Sequence, residues 1–219
     1  MENDFWITRW HKNEIGFHQQ EFNPYLRKFW QELHLDTGCE VFVPLCGKSL
    51  DMIWLRNQGH AVLGVELSDV AARAFFEENG MKPEREKLGK FECFEADGIR
   101  ILCGDFFDLS QEHLAKTGAV YDRAALVALP KEMRESYAEH LAGILPAATP
   151  VLLITFDYPQ HEMDGPPFAV SKDEVKALYG AKFEIDLLSE TDALAQTPRF
   201  QQRGLSRLGE NVFKLVFRG

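Results

Sequence analysis

Short apolar runs alternate with amphipathic stretches along nearly the whole chain, a pattern that predicts a mostly parallel sheet covered by helices on both faces. The strands expected from it are "EVFVP" from Glu40, "AVLGVE" from Ala61, "IRILC" from Ile99, "AVYDRAALVAL" from Ala119 and the uniformly apolar "VLLITF" from Val151. "FECFEADGIRILCGD" reads as a hairpin turning at Asp97-Gly98, with its second arm continuing as a sheet strand. "KFEIDLLSE" and "NVFKLVF" can pair as an antiparallel edge near the C-terminus. Between the strands, Leu50, Ile53 and Trp54 form one helical stripe that Gly59 stops. Ser68 can cap a helix that buries Val70, Ala71, Ala74 and Phe75, and Pro130 can open one presenting Met133, Tyr137, Leu141 and Ile144. Ser171 with Glu174 makes a capping box. The charged "KPEREKLGK" from Lys82 has no clear period and is expected to be an exposed connection.

In open sheets of this kind ligands lie beyond the carboxyl ends of the strands. Leu45, Glu66, Asp105 with Phe106, Arg123 and Asp157 stand at those ends and are expected on one rim. The segment from Glu40 to Ser68 is the layout of a nucleoside-binding βαβ half: a carboxylate ending the second strand about 20 residues past the first turn is where such folds hold a ribose hydroxyl pair. The turn itself, "PLCGKSLD", has one glycine, Gly47, and lacks the Gly-x-Gly-x-x-Gly fingerprint that lets a backbone approach a pyrophosphate. Gly47-Lys48-Ser49 imitates the end of a phosphate-cradling P-loop, but Phe42 stands where that motif needs a glycine. A ligand with a ribose and base but no phosphate chain remains, and S-adenosylmethionine is the common molecule of that description. The same layout also serves as plain scaffold in other proteins.

At 219 residues and 45% hydrophobic content the chain can bury a full core as one α/β domain. No segment approaches the ~20 apolar residues of a membrane span, and Glu2 and Asp4 stand where a basic signal region would be, so a cytoplasmic protein is expected. Cys39, Cys46, Cys93 and Cys103 show no metal-type spacing and read as reduced thiols, with no metal expected. A formal charge of −10 with scattered basic residues disfavours nucleic acid, leaving a small molecule as the partner of a monomer that has no membrane contact.

The N-terminal segment is unusually aromatic. Trp6 and Trp10, four apart, share a helical face and can roof a cationic ligand, because an indole attracts positive charge to its ring. The run from Trp6 to Gln19 with "FHQ" at its end, "FVPLCGKSLDMIWL", "GVELS", "CGDFFDL" and "YDRAALVALP" together resemble the bacterial thiopurine S-methyltransferase family along essentially the whole chain. The resemblance implies a Rossmann-like class I methyltransferase fold with a seven-stranded sheet, residues 1–36 as an N-terminal lid and helix, and residues 37–219 as the α/β core. It implies methyl transfer from S-adenosylmethionine to the sulfur of an aromatic or heterocyclic thiol, with selenium and tellurium species as further soft acceptors. It places Trp10, Leu45, Glu66 and Arg123 on the donor, with Trp6 a further contact and Asp105 and Phe106 flanking the adenine. Phe17 matches a position lining the acceptor pocket. A late arginine near the acceptor is best placed at Arg199, with Arg203 and Arg207 as the other possibilities. Arg123 and Arg199 are the candidates for stabilising an anionic acceptor, although Arg123 can also pair with the adjacent Asp122, and His18 lies next to Phe17. A nicotinamide-dependent oxidoreductase on the same scaffold and a non-catalytic module that only binds the donor are the competing readings.

Overall fold

The computed structural model describes residues 3–12, 14 and 18–219. Its centre is a nine-stranded sheet in the order β3-β4-β5-β2-β1-β6-β7-β9-β8. The strands are β1 (Glu40–Val43), β2 (Ala61–Glu66), β3 (Glu84–Leu88), β4 (Phe91–Ala96), β5 (Ile99–Cys103), β6 (Thr117–Arg123), β7 (Pro150–Asp157), β8 (Phe183–Asp192) and β9 (Gly209–Phe217). The five in the middle, β5-β2-β1-β6-β7, pair in parallel. β9 runs antiparallel between β7 and β8, the C-terminal pair that the sequence pattern predicts.

The strand count is a correction to the expected seven. "KPEREKLGK" is not a connection: its Glu84–Leu88 stretch forms β3 and pairs antiparallel with β4, which in turn pairs with β5. All five β3 residues are exposed, so the edge strand carries no apolar alternation for a period-based reading to detect.

Both faces of the sheet are covered, as continuous apolar strands require. Successive β1 residues feed opposite cores. Val41 and Val43 pack with Leu26, Met52, Leu55, Phe75 and Phe76, from α2 (Pro24–Phe29), α3 (Asp51–Asn57) and α4 (Asp69–Glu78). Phe42 packs with Tyr137, Leu141, Val175 and Tyr179 on α5 (Lys131–Ile144) and α6 (Lys172–Tyr179). In α3 it is Met52 and Leu55 that are fully buried, while Ile53 and Trp54 lie half-buried at the edge of the cluster. Ser68 caps α4 through the Ala71 N–H, and Ser171 caps α6 through the Glu174 N–H. The Glu174 carboxylate does not close the capping box; it takes the Arg134 guanidinium at 2.5 Å. Pro130 sits one residue outside α5 as its N-cap.

A third, smaller cluster lies beyond the carboxyl edge of the sheet, where Tyr158, Met163, Leu205 and Leu208 enclose Phe200 of the short helix α7 (Pro198–Gln202). The N-terminal helix α1 (Asn3–His11) lies over the same edge, with Trp10 buried beneath it. Among the described residues no helix is long and apolar enough to cross a membrane.

Candidate functional site

One cleft opens at the carboxyl edge of the parallel strands, and its first end is built from the β1 and β2 termini. Leu45 has φ +45°, in the left-handed region, and Gly47 follows with φ +53°, so the chain doubles back immediately after β1. This turn delivers the Gly47 N–H to Glu66 Oε2 at 2.8 Å, while the Ser68 N–H donates to Oε1 at 2.8 Å. Glu66 is only 6% exposed, and burial raises its pKa to about 6, with the Ser68, Gly47 and Leu67 amides acting in the opposite direction. Each carboxylate oxygen keeps acceptor capacity after one such bond, and the side chain lines the cleft. Gly47 has a second reason to be glycine. A Cβ there would stand 3.1 Å from the Trp10 ring, so the N-terminal helix rests directly on the turn. Trp6 and Trp10 both line the cleft, as their shared helical face predicts.

The next wall comes from the β5 end. Asp105 Oδ1 accepts the Phe107 N–H at 2.9 Å, which winds the chain into a 3-10 turn and swings Phe106 inward. Phe106 stacks on Tyr137 with ring centroids 4.8 Å apart and 29° between planes. The Tyr137 hydroxyl donates to Asp122 Oδ2 at 2.7 Å, and the Leu126 N–H reaches Oδ1 at 3.2 Å. Burial lifts the Asp122 pKa to about 6. Asp122 takes the Tyr137 hydroxyl and the Leu126 amide, and among the described residues no ion pair joins it to Arg123. Arg123, half-buried, lines the cleft instead.

At the far end Arg199 reaches in from α7, held by the burial of Phe200, with its guanidinium 4.6 Å from that ring's centroid. One side of Arg199 is open to solvent; on the other, desolvation and the charges of Arg123 and Arg203 hold its pKa below the ordinary arginine value. Of the three late arginines it is the one on the cleft. Arg199 and Arg203 are both exposed, but Arg203 does not line the cleft; Arg207 pairs with Asp157 at 3.0 Å, and neither of that pair lines it, so Asp157 drops out of the expected rim group. His18 lines the cleft too, its pKa lowered by burial and then by Lys48. Phe17 lies outside the described residues.

Glu210 on the cleft wall was not foreseen. The expectation looked only at the carboxyl ends of strands, but β9 is antiparallel, so its first residues share the rim on which the parallel strands end; Glu210 lies opposite Phe156 of β7. Burial raises its pKa, with Tyr25, Arg123 and Arg199 countering. The signal available was the reversal of direction already expected of the last two strands.

The residues suit an S-adenosyl ligand better than a phosphate-bearing one. The Gly47 amide, the group a phosphate would need, is spent on Glu66, and the nearby Lys48 ammonium is paired with Glu78 at 2.6 Å. A buried carboxylate with open lone pairs matches a ribose diol, and two indoles match a sulfonium.

Comparison with known proteins agrees. The family model described as thiopurine S-methyltransferase matches residues 1–217. Proteins named thiopurine S-methyltransferase from Nitrosospira multiformis and Azotobacter vinelandii are 60% and 50% identical over 218 and 215 residues, covering 100% and 98% of this chain and 99% of each relative. Among solved structures, the Burkholderia thailandensis 1,6-didemethyltoxoflavin-N1-methyltransferase bound to S-adenosylhomocysteine superposes with a TM-score of 0.67 at 13% identity, over 99% of this chain and 87% of its own. A SAM-dependent methyltransferase from Anabaena variabilis gives the same score and identity over 99% and 95%. These two establish the class I methyltransferase fold.

Proposed function

Because the chain belongs to the thiopurine S-methyltransferase family, we propose that its cleft holds the methyl donor at the Glu66 end and a thiol acceptor between Arg123 and Arg199. The protein is an S-adenosylmethionine-dependent enzyme that methylates sulfur in aromatic or heterocyclic thiols. The observation that carries the residue assignment is the buried Glu66 carboxylate, fixed by two backbone amides and still facing the cleft.

S-adenosylmethionine, when bound, supplies an electrophilic methyl group on a cationic sulfur. Glu66 accepts from the ribose hydroxyls, and Leu45 and Phe106 hold the faces of the adenine while Asp105 meets its polar edge. Phe106 is held ready for this by Tyr137, itself fixed by Asp122. The Trp6 and Trp10 indoles cover the sulfonium, which favours the cation and excludes water. Arg123 and Arg199 would donate hydrogen bonds to the acceptor sulfur at the other end, and the Arg123 guanidinium would also be able to take the donor's carboxylate. Attack at methyl needs no metal and little acid–base help once the acceptor is ionised. The work is alignment, which in well-ordered intramolecular systems lowers barriers by about 7–11 kcal/mol. We assign residues 1–36 to a lid and helix over a single core of residues 37–219.

Incubation with S-adenosylmethionine and a heterocyclic thione, followed by mass spectrometry and comparison with authentic isomers, tests the reading. It predicts an S-methylated product; an N-methylated product or none would defeat it.

A further inference from the structure

The acceptor end carries an element that the arginines do not explain. Glu210 enters from β9, where its neighbours across the sheet are Phe156 on β7 and Thr191 on β8. The charged and titratable groups that face it are Arg123 on β6, Arg199 on α7 and Tyr25 on α2. A guanidinium can only donate hydrogen bonds and an ionised carboxylate can only accept them. The pocket therefore presents donors and an acceptor side by side.

We propose that Glu210 recognises the ring N–H next to the reacting sulfur, so that the preferred acceptor is a heterocyclic thione with N–H beside C=S rather than a simple aryl thiol. The inference rests on the reading above that the acceptor lies between Arg123 and Arg199. A thioamide edge offers an accepting sulfur and a donating N–H, complementary to guanidinium and carboxylate together. An aryl thiolate offers acceptors alone, so it can take bonds from the guanidiniums but has no donor for Glu210. As the S–CH3 bond forms, the bond from methyl to the donor sulfur breaks and leaves its electron pair there. The C=S bond becomes C–S, the N–H electron pair closes a ring C=N bond, and the proton passes to a Glu210 oxygen and then to water. Its raised pKa suits Glu210 to hold that proton briefly.

The test compares purine-6-thione with thiophenol, which lacks the N–H, in the intact protein and in Glu210→Gln and Glu210→Asp. Glu210→Gln should lower the ratio of kcat/KM for the thione to that for thiophenol by about 10- to 100-fold, the range for a hydrogen bond to a charged group. Thione binding to donor-free protein, followed by the thione's absorbance, should weaken in parallel, and Glu210→Asp should keep part of the preference. An equal loss for both acceptors would assign Glu210 a structural role through Tyr25 and overturn the proposal, as would an unchanged thione. Should the parent protein methylate neither compound, the functional reading fails, while the ratio of thione to thiophenol binding still decides the role of Glu210.

Discussion

The ribose-binding part of the donor end comes from a single βαβ unit, in which the left-handed turn at Leu45 and Gly47 brings the Gly47 amide onto the Glu66 carboxylate. The acceptor end draws Arg123 from β6, Arg199 from a five-residue helix and Glu210 from the start of β9. Backbone geometry fixes the first, and long side chains on separate supports make up the second. A ligand common to every turnover suits the rigid end; acceptor choice suits the end whose supports can change independently.

The sharpest break of this contrast is Arg123→Ala. Loss of a charge-assisted contact at the acceptor should lower kcat/KM for a thione by about 100-fold in steady-state assays, and a wild-type value would remove Arg123 from the mechanism. The accompanying donor affinity sharpens the division: an equal loss there would move Arg123 to the donor side and leave Arg199 and Glu210 as the acceptor end. Trp10→Ala should act on the other side, weakening donor binding about 10-fold by calorimetry, consistent with loss of one cation–π contact, while the acceptor KM stays within twofold of wild type, or about 0.4 kcal/mol. Unchanged donor affinity would take the lid off the donor.

The two ends also differ in how far the sequence reveals them. Apolar runs, the single glycine and the acid ending the second strand are local signals, and they place Leu45, Glu66 and the turn where the structure has them. The reason for Gly47 was hidden, because the Trp10 ring that crowds it comes from a helix far back in the chain. Arg199 was separable from Arg203 and Arg207 only once Phe200 was seen buried and Arg207 paired with Asp157. Glu210 escaped because pairing direction, not residue type, brings it to the rim. Strand β3 escaped for a different reason: all five of its residues are exposed, so no apolar period marks it.

Donor affinity measured by calorimetry from pH 7.5 to 5.5 tests the Glu66 assignment most directly. Burial raises the free-protein pKa of Glu66 to about 6, and the ionised form is the one that accepts from the ribose, so affinity should be full above that pH and fall as pH drops through it. The ionised fraction falls about fourfold over this range, and wild-type affinity should weaken by the same factor, whereas Glu66→Gln should stay level. A flat wild-type profile, or the same decline in Glu66→Gln, would contradict the account.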